Sequence, residues 1–100
     1  LLHVIEAVPV YVAEYIPTDV VASTREAVQA RLDALALSVP GAATAIADGR
    51  AGPRATRWAE ENGTDCIVIA SHQPALSDIL LGSVAQYVVR HAKCAVHVVR

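Results

Sequence analysis

The sequence predicts an α/β domain built on a parallel sheet, and three observations carry that expectation. Short β-branched runs alternate with longer segments of helical period. One of the short runs, Cys66-Ile67-Val68-Ile69, is continuously apolar, as expected of a strand covered on both faces. At 100 residues the chain has the length of a single domain, so both kinds of segment must share one fold.

Taken in order, the first strand is predicted over Leu1 to Ala7, ended by Pro9. The stretch Pro9 to Pro17, with Tyr11 and Tyr15, reads as a loop longer than most connections between a strand and a helix, suited to a flap or a contact surface. A crossover helix follows over Asp19 to Leu37: Val20, Ala27, Val28, Leu32 and Leu35 recur near helical spacing, Thr18 or Asp19 is placed to cap it, and Pro40-Gly41 punctuates its exit. The second strand is predicted over Ala42 to Ala47, ended by Asp48-Gly49. A second helix runs over Pro53 to Asn62, with Pro53 in its first turn, where a missing N–H costs little, Trp58 on its apolar side and Gly63 just past its end. The third strand, Asp65 to Ala70, leads through a long loop at 71 to 81 into a helix opening at Ser83, and the last strand is Ala95 to Val99.

Composition narrows the function classes. Apolar residues make up 54% of the chain and charged ones 18%, which excludes disorder. Ala and Val together supply 34 residues while Phe and Met are absent, so the core is packed with small and β-branched side chains. The net charge is −2 and the cations are scattered, which argues against a nucleic-acid partner. No uncharged apolar run approaches the roughly 18 residues of a membrane helix, so no membrane partner is expected either. Cys66 and Cys94 sit in apolar runs and are expected to be buried thiols in a reducing compartment, without the further ligands of a zinc site.

The segment richest in chemistry runs from Ile67-Val68-Ile69-Ala70-Ser71-His72-Gln73-Pro74 to Leu80-Leu81-Gly82-Ser83-Val84. A buried strand ends, a loop of small and polar residues follows, and a helix opens on Gly-Ser. Backbone N–H groups at that helix start, the positive end of its dipole and the Ser83 hydroxyl favour phosphate oxygens, and ligands of open α/β sheets sit beyond the carboxyl ends of the strands. The pair Gly82-Ser83 also serves as an ordinary helix entrance. There is no Walker-type phosphate loop, and the single lysine is Lys93.

These residues, together with Ile79-Leu80-Leu81-Gly82-Ser83 and the closing run Val88-Val89-Arg90-His91-Ala92-x-Cys94-x-Val96-x-Val98-Val99-Arg100, resemble the universal stress protein family, in particular its F/G-type subgroup. The resemblance covers essentially the whole chain, 1–100, and is strongest from Asp65 onward. It implies a doubly wound, Rossmann-like α/β/α sandwich that binds ATP, with Mg²⁺ accompanying the nucleotide. The family's signature is Gly-x-x-Gly, a spacer, then Gly-Ser/Thr. Gly82 and Ser83 match it, with Val84 beside them; Ala70 stands at the first glycine and Gln73 at the second. An added Cβ at Ala70 is a small change, whereas Gln73 narrows the backbone choices and brings a side chain toward the phosphates.

By the same carry-over Ile69 and Val4 line the adenine slot, or are plain sheet core, and Ser71 and His72 lie beside the phosphates or ribose. His72 adjoins Ser71 in sequence, which disfavours a hydrolase pair, and no catalytic residues are assigned. His91 beside Arg90 complements the last helix's dipole, and His3 and His97 alternate with apolar residues as core or interface histidines. Val96, Val98 and Val99 would form an edge strand that the resemblance pairs with a second subunit in a homodimer.

The leading expectation is a cytoplasmic, ATP-binding universal stress protein acting as a regulatory module in the stress response. The alternatives are a homodimeric scaffold of the same fold without nucleotide and a weak ATPase or nucleotidyl-transfer enzyme. The family's strand order is three-two-one-four-five, which makes the four strands here the second to fifth. The chain thus reads as truncated at its N-terminus, short of the central first strand and its helix, and is expected either to pair its first and third strands directly or to be marginally stable.

Overall fold

A computed structural model describes residues 1–6, 18–71 and 81–100. The order is β1 (Leu2–Ile5), α1 (Thr18–Ala36), β2 (Ala45–Asp48), α2 (Ala51–Glu61), β3 (Cys66–Ala70), α3 (Ser83–His91) and β4 (Ala95–Val99). This is the predicted alternation, and the ladders are parallel: β1 pairs with β2 and β3 with β4, rather than the first strand with the third. The long-loop expectations at 9 to 17 and in most of 71 to 81 lie outside the described residues. The chain divides into two compact units, Leu1–Asp48 and Gly49–Arg100.

In the first unit β2 starts three residues later than predicted and includes Asp48, because only four residues of β1 stand opposite it, from Leu2↔Ala45 to Ile5↔Asp48. The Leu1 carbonyl accepts the Ala45 N–H at 2.8 Å, and the terminal amine donates to the Ala43 carbonyl at 2.7 Å. Helix α1 is tied to this strand by side chains. Arg25 Nη1 donates to both carboxylate oxygens of Asp48 at 2.9 and 3.1 Å, and Gln29 Nε2 donates to Thr44 Oγ1 at 3.0 Å. The hydrogen bond that Arg25 donates to Asp48, then the carboxylate's charge, holds the guanidinium above its ordinary pKa. A raised basic group stabilises the fold fully below its unfolded pKa and loses that effect only as pH climbs through the folded one. The arginine therefore introduces no pH dependence in the neutral range. Among the described residues of this unit, Leu32 and Ala47 are the buried apolar side chains.

The second unit has a fuller core of Ala59, Ala85 and Val88, with Val88 wholly buried. Helix α2 begins two residues before Pro53. Arg50 is extended at φ −80°, ψ 133°, and its carbonyl accepts the Arg54 N–H at 2.9 Å. Pro53 is the third helical residue, still among the positions whose N–H has no helical acceptor. At the other end Gly63 is left-handed, φ +61°. Thr64 N–H reaches the Ala59 carbonyl at 2.9 Å and Gly63 N–H the Glu60 carbonyl at 3.3 Å, the paired bonds of a Schellman stop. Space is open around Gly63, so Gly63→Ala is expected to cost about 1 kcal/mol from the left-handed backbone alone. The check is a urea midpoint that falls while the slope stays constant.

Ladder β3–β4 runs in register from Cys66↔Ala95 to Ala70↔Val99. Its apolar run had suggested two covered faces, but only one is partly covered. Ile67, Ile69, Val96 and Val98 are half-buried, whereas Cys66, Val68, Ala70, Ala95, His97 and Val99 are exposed, Val68 to 67%. Strand alternation assigns these sets to opposite faces. Cys66 is consequently not the buried thiol expected, and Cys94 is half-buried; both are free. His3 and His97 are exposed rather than in the core. His91 stacks on Tyr87, ring centroids 4.2 Å apart, one turn from the end of α3.

Candidate functional site

The predicted phosphate-reading segment lies in the second unit, and the backbone brings its two ends together. Ser71, just beyond β3, is buried, and its N–H donates to the Val99 carbonyl at 2.8 Å, prolonging the ladder by one residue. Its carbonyl accepts the Gly82 N–H at 2.7 Å. The carboxyl end of β3 and the opening of α3 are thus clamped together across ten intervening residues, 72–81.

Gly82 is the N-cap of α3, extended at φ −63°, ψ 157°, with no side-chain cap. The helical ladder begins with Gln86 N–H to the Gly82 carbonyl at 2.9 Å, so the N–H groups of Ser83, Val84 and Ala85 precede it and carry the positive end of the helix dipole. Ser83 and Val84 are exposed, Gly82 and Ile69 half-buried, and Ala70 exposed at the strand end. This arrangement can receive an anion on Ser83 and Val84 next to a strand terminus. Val4, the other predicted wall of the adenine slot, is half-buried in β1 of the first unit, opposite Ala47. His72 and Gln73 lie outside the described residues. Among the described residues no cluster of three or more His, Cys, Asp or Glu side chains could hold a metal ion.

Two determinants of this geometry escaped the sequence reading. The clamp uses the backbone of Ser71, which no side-chain motif announces. The placement of α3 also depends on Gly52: a Cβ there would lie 2.9 Å from Cβ and Cγ of Tyr87, so only glycine allows the two helices this approach. Gly52 precedes the helix predicted from Pro53, so no local signal in the sequence marks it.

A profile of the universal stress protein family matches residues 1–100, the entire chain. The chain belongs to the universal stress protein family. Universal stress protein G of Shigella flexneri and of Escherichia coli O157:H7 are each 55% identical to this universal stress protein sequence over 42 residues. That stretch is 42% of the chain but 30% of either relative, so the similarity spans under a third of the length of those proteins. A solved structure of the hypothetical protein MJ0577, a test case for assigning biochemical function from structure, superposes with a TM-score of 0.82 at 26% identity. The match covers 98% of this chain and 72% of that one. The doubly wound α/β class expected of a universal stress protein is therefore the class this chain adopts.

Proposed function

We propose that this universal stress protein domain binds ATP, with the phosphates on the first turn of α3 and the adenine toward Ile69, and serves as a cytoplasmic regulatory module in the stress response. The observation that carries the reading is the bond between Ser71 and Gly82. It holds the amides of Ser83 and Val84, both exposed residues, at the carboxyl end of β3, where α/β sheets receive ligands. His72 and Gln73 belong to the same proposed site by their place in the sequence, with Ala70 beside them at the strand end.

No helix among the described residues is long and apolar enough to cross a membrane. The proposed structural partner is a second copy. β4 has β3 on one side and no other described strand, and Val96, Val98 and Val99 lie along it, with Val99 exposed to 46%.

Calorimetric titration of the chain with ATP and with AMP tests the reading. Saturable ATP binding that exceeds AMP binding at least about tenfold is expected, since the helix start acts on the β- and γ-phosphates. Absence of ATP binding would overturn it and leave the fold as a scaffold.

A further inference from the structure

At the opposite end of the second unit's strands, the carboxyl termini of α2 and α3 enclose a cleft of about 320 Å³. Its inner surface is small and apolar: Ala59 is buried, Ala92 half-buried, and Gly63 has no side chain. Both signs of charge stand on it. Glu60 Oε1 and Lys93 Nζ are 3.2 Å apart, with side-chain exposures of 45% and 82%. Thr56 lies one turn before Glu60 on the same face of α2. Its hydroxyl donates to the Gly52 and Pro53 carbonyls, at 3.2 and 3.0 Å, which commits its hydrogen and leaves oxygen lone pairs to accept.

We propose that this cleft binds a small aliphatic zwitterion, a molecule of free amino-acid type. The ammonium is received by the Glu60 carboxylate and the Thr56 oxygen, the carboxylate by Lys93, and the aliphatic part by Ala59 and Ala92. An exposed pair such as Glu60 and Lys93 gains little from its own contact, so exchanging it for two charge-assisted contacts with a ligand costs little. At about 30 Å³ per water-sized group, the cleft accommodates about ten non-hydrogen atoms, which bounds the ligand near the size of valine or leucine. This site is independent of the nucleotide reading. Its residues come from 56–64 and 92–94, none of them in the phosphate-reading segment.

The experiment is an NMR titration of the ¹⁵N-labelled chain with L-valine, L-valine methyl ester and isovalerate, following the amides of Thr64, Ala92, Lys93 and Cys94. Saturable shifts at these amides with L-valine are expected, with the ester and isovalerate each at least about tenfold weaker because each lacks one charge. Glu60→Gln and Lys93→Met, both at exposed positions, should each weaken L-valine about tenfold without altering the rest of the spectrum. No saturable shift at the four amides would overturn the proposal, as would equal binding of the three probes or unchanged affinity in both variants. Because ATP is absent throughout, failure here leaves the nucleotide reading standing, and the ATP titration does not decide this one.

Discussion

Gly82→Val is expected to lower ATP affinity at least about tenfold while costing the fold only the roughly 1 kcal/mol of a poorer N-cap residue. Phosphate oxygens must come within hydrogen-bond distance of the Ser83 and Val84 amides, and a branched side chain on the N-cap occupies the space before them. The backbone at Gly82, φ −63° and ψ 157°, lies in the extended region open to any residue, so valine brings no conformational strain there. Its N–H also keeps its bond to Ser71. A lost affinity in a variant that is still folded at the titration temperature therefore reads as lost access to the amides. Wild-type affinity in the variant would move the phosphates elsewhere.

Gly52→Val is expected to destabilise the second unit by about 3 kcal/mol, the upper end of ordinary overpacking. The added Cβ alone meets Tyr87 at 2.9 Å, and the neighbouring atoms are the Cβ and Cγ of that residue rather than the free end of a flexible chain. Relief requires α2 and α3 to separate, which opens the core around Ala59, Ala85 and the wholly buried Val88. The gain in helix propensity over glycine, under about 1 kcal/mol, offsets only part of this. At about 0.05–0.15 kcal/mol per residue, a unit of about fifty residues has about 2.5–7.5 kcal/mol in reserve, so the loss is a large share of it. Chemical denaturation monitored by Trp58 fluorescence measures the loss, and a variant as stable as wild type would show that the helices can shift freely.

Much of the fold was legible because its cues are local. The period of Val28 and Leu32 placed α1, Gly63 marked the end of α2, and Ala95 to Val99 was read with the bounds it has. What was missed depends on partners distant in sequence. Cys66 to Ala70 looks like a doubly covered strand because every residue in it is apolar, yet coverage is a property of neighbouring elements, and here alternate residues stay exposed. For the same reason His3 and His97 are exposed rather than in the core, which leaves the interface alternative for both. At the site, Gly82 and Ser83 declared themselves through helix-start chemistry. The Ser71 clamp is made by backbone groups that every residue type possesses, and the cleft at Glu60 and Lys93 joins two segments with no shared motif.

The single bond between Ser71 and Gly82 also separates what can evolve from what cannot. It fixes where the strand stops and where the helix starts, whatever chain connects them. Closure entropy grows only slowly with length, so doubling the ten-residue connection would cost about 0.6 kcal/mol. Substitutions and insertions between those two residues can therefore alter which molecule is chosen while the framework keeps its stability. On the proposed nucleotide reading, ligand preference is a replaceable cassette mounted between two fixed backbone groups.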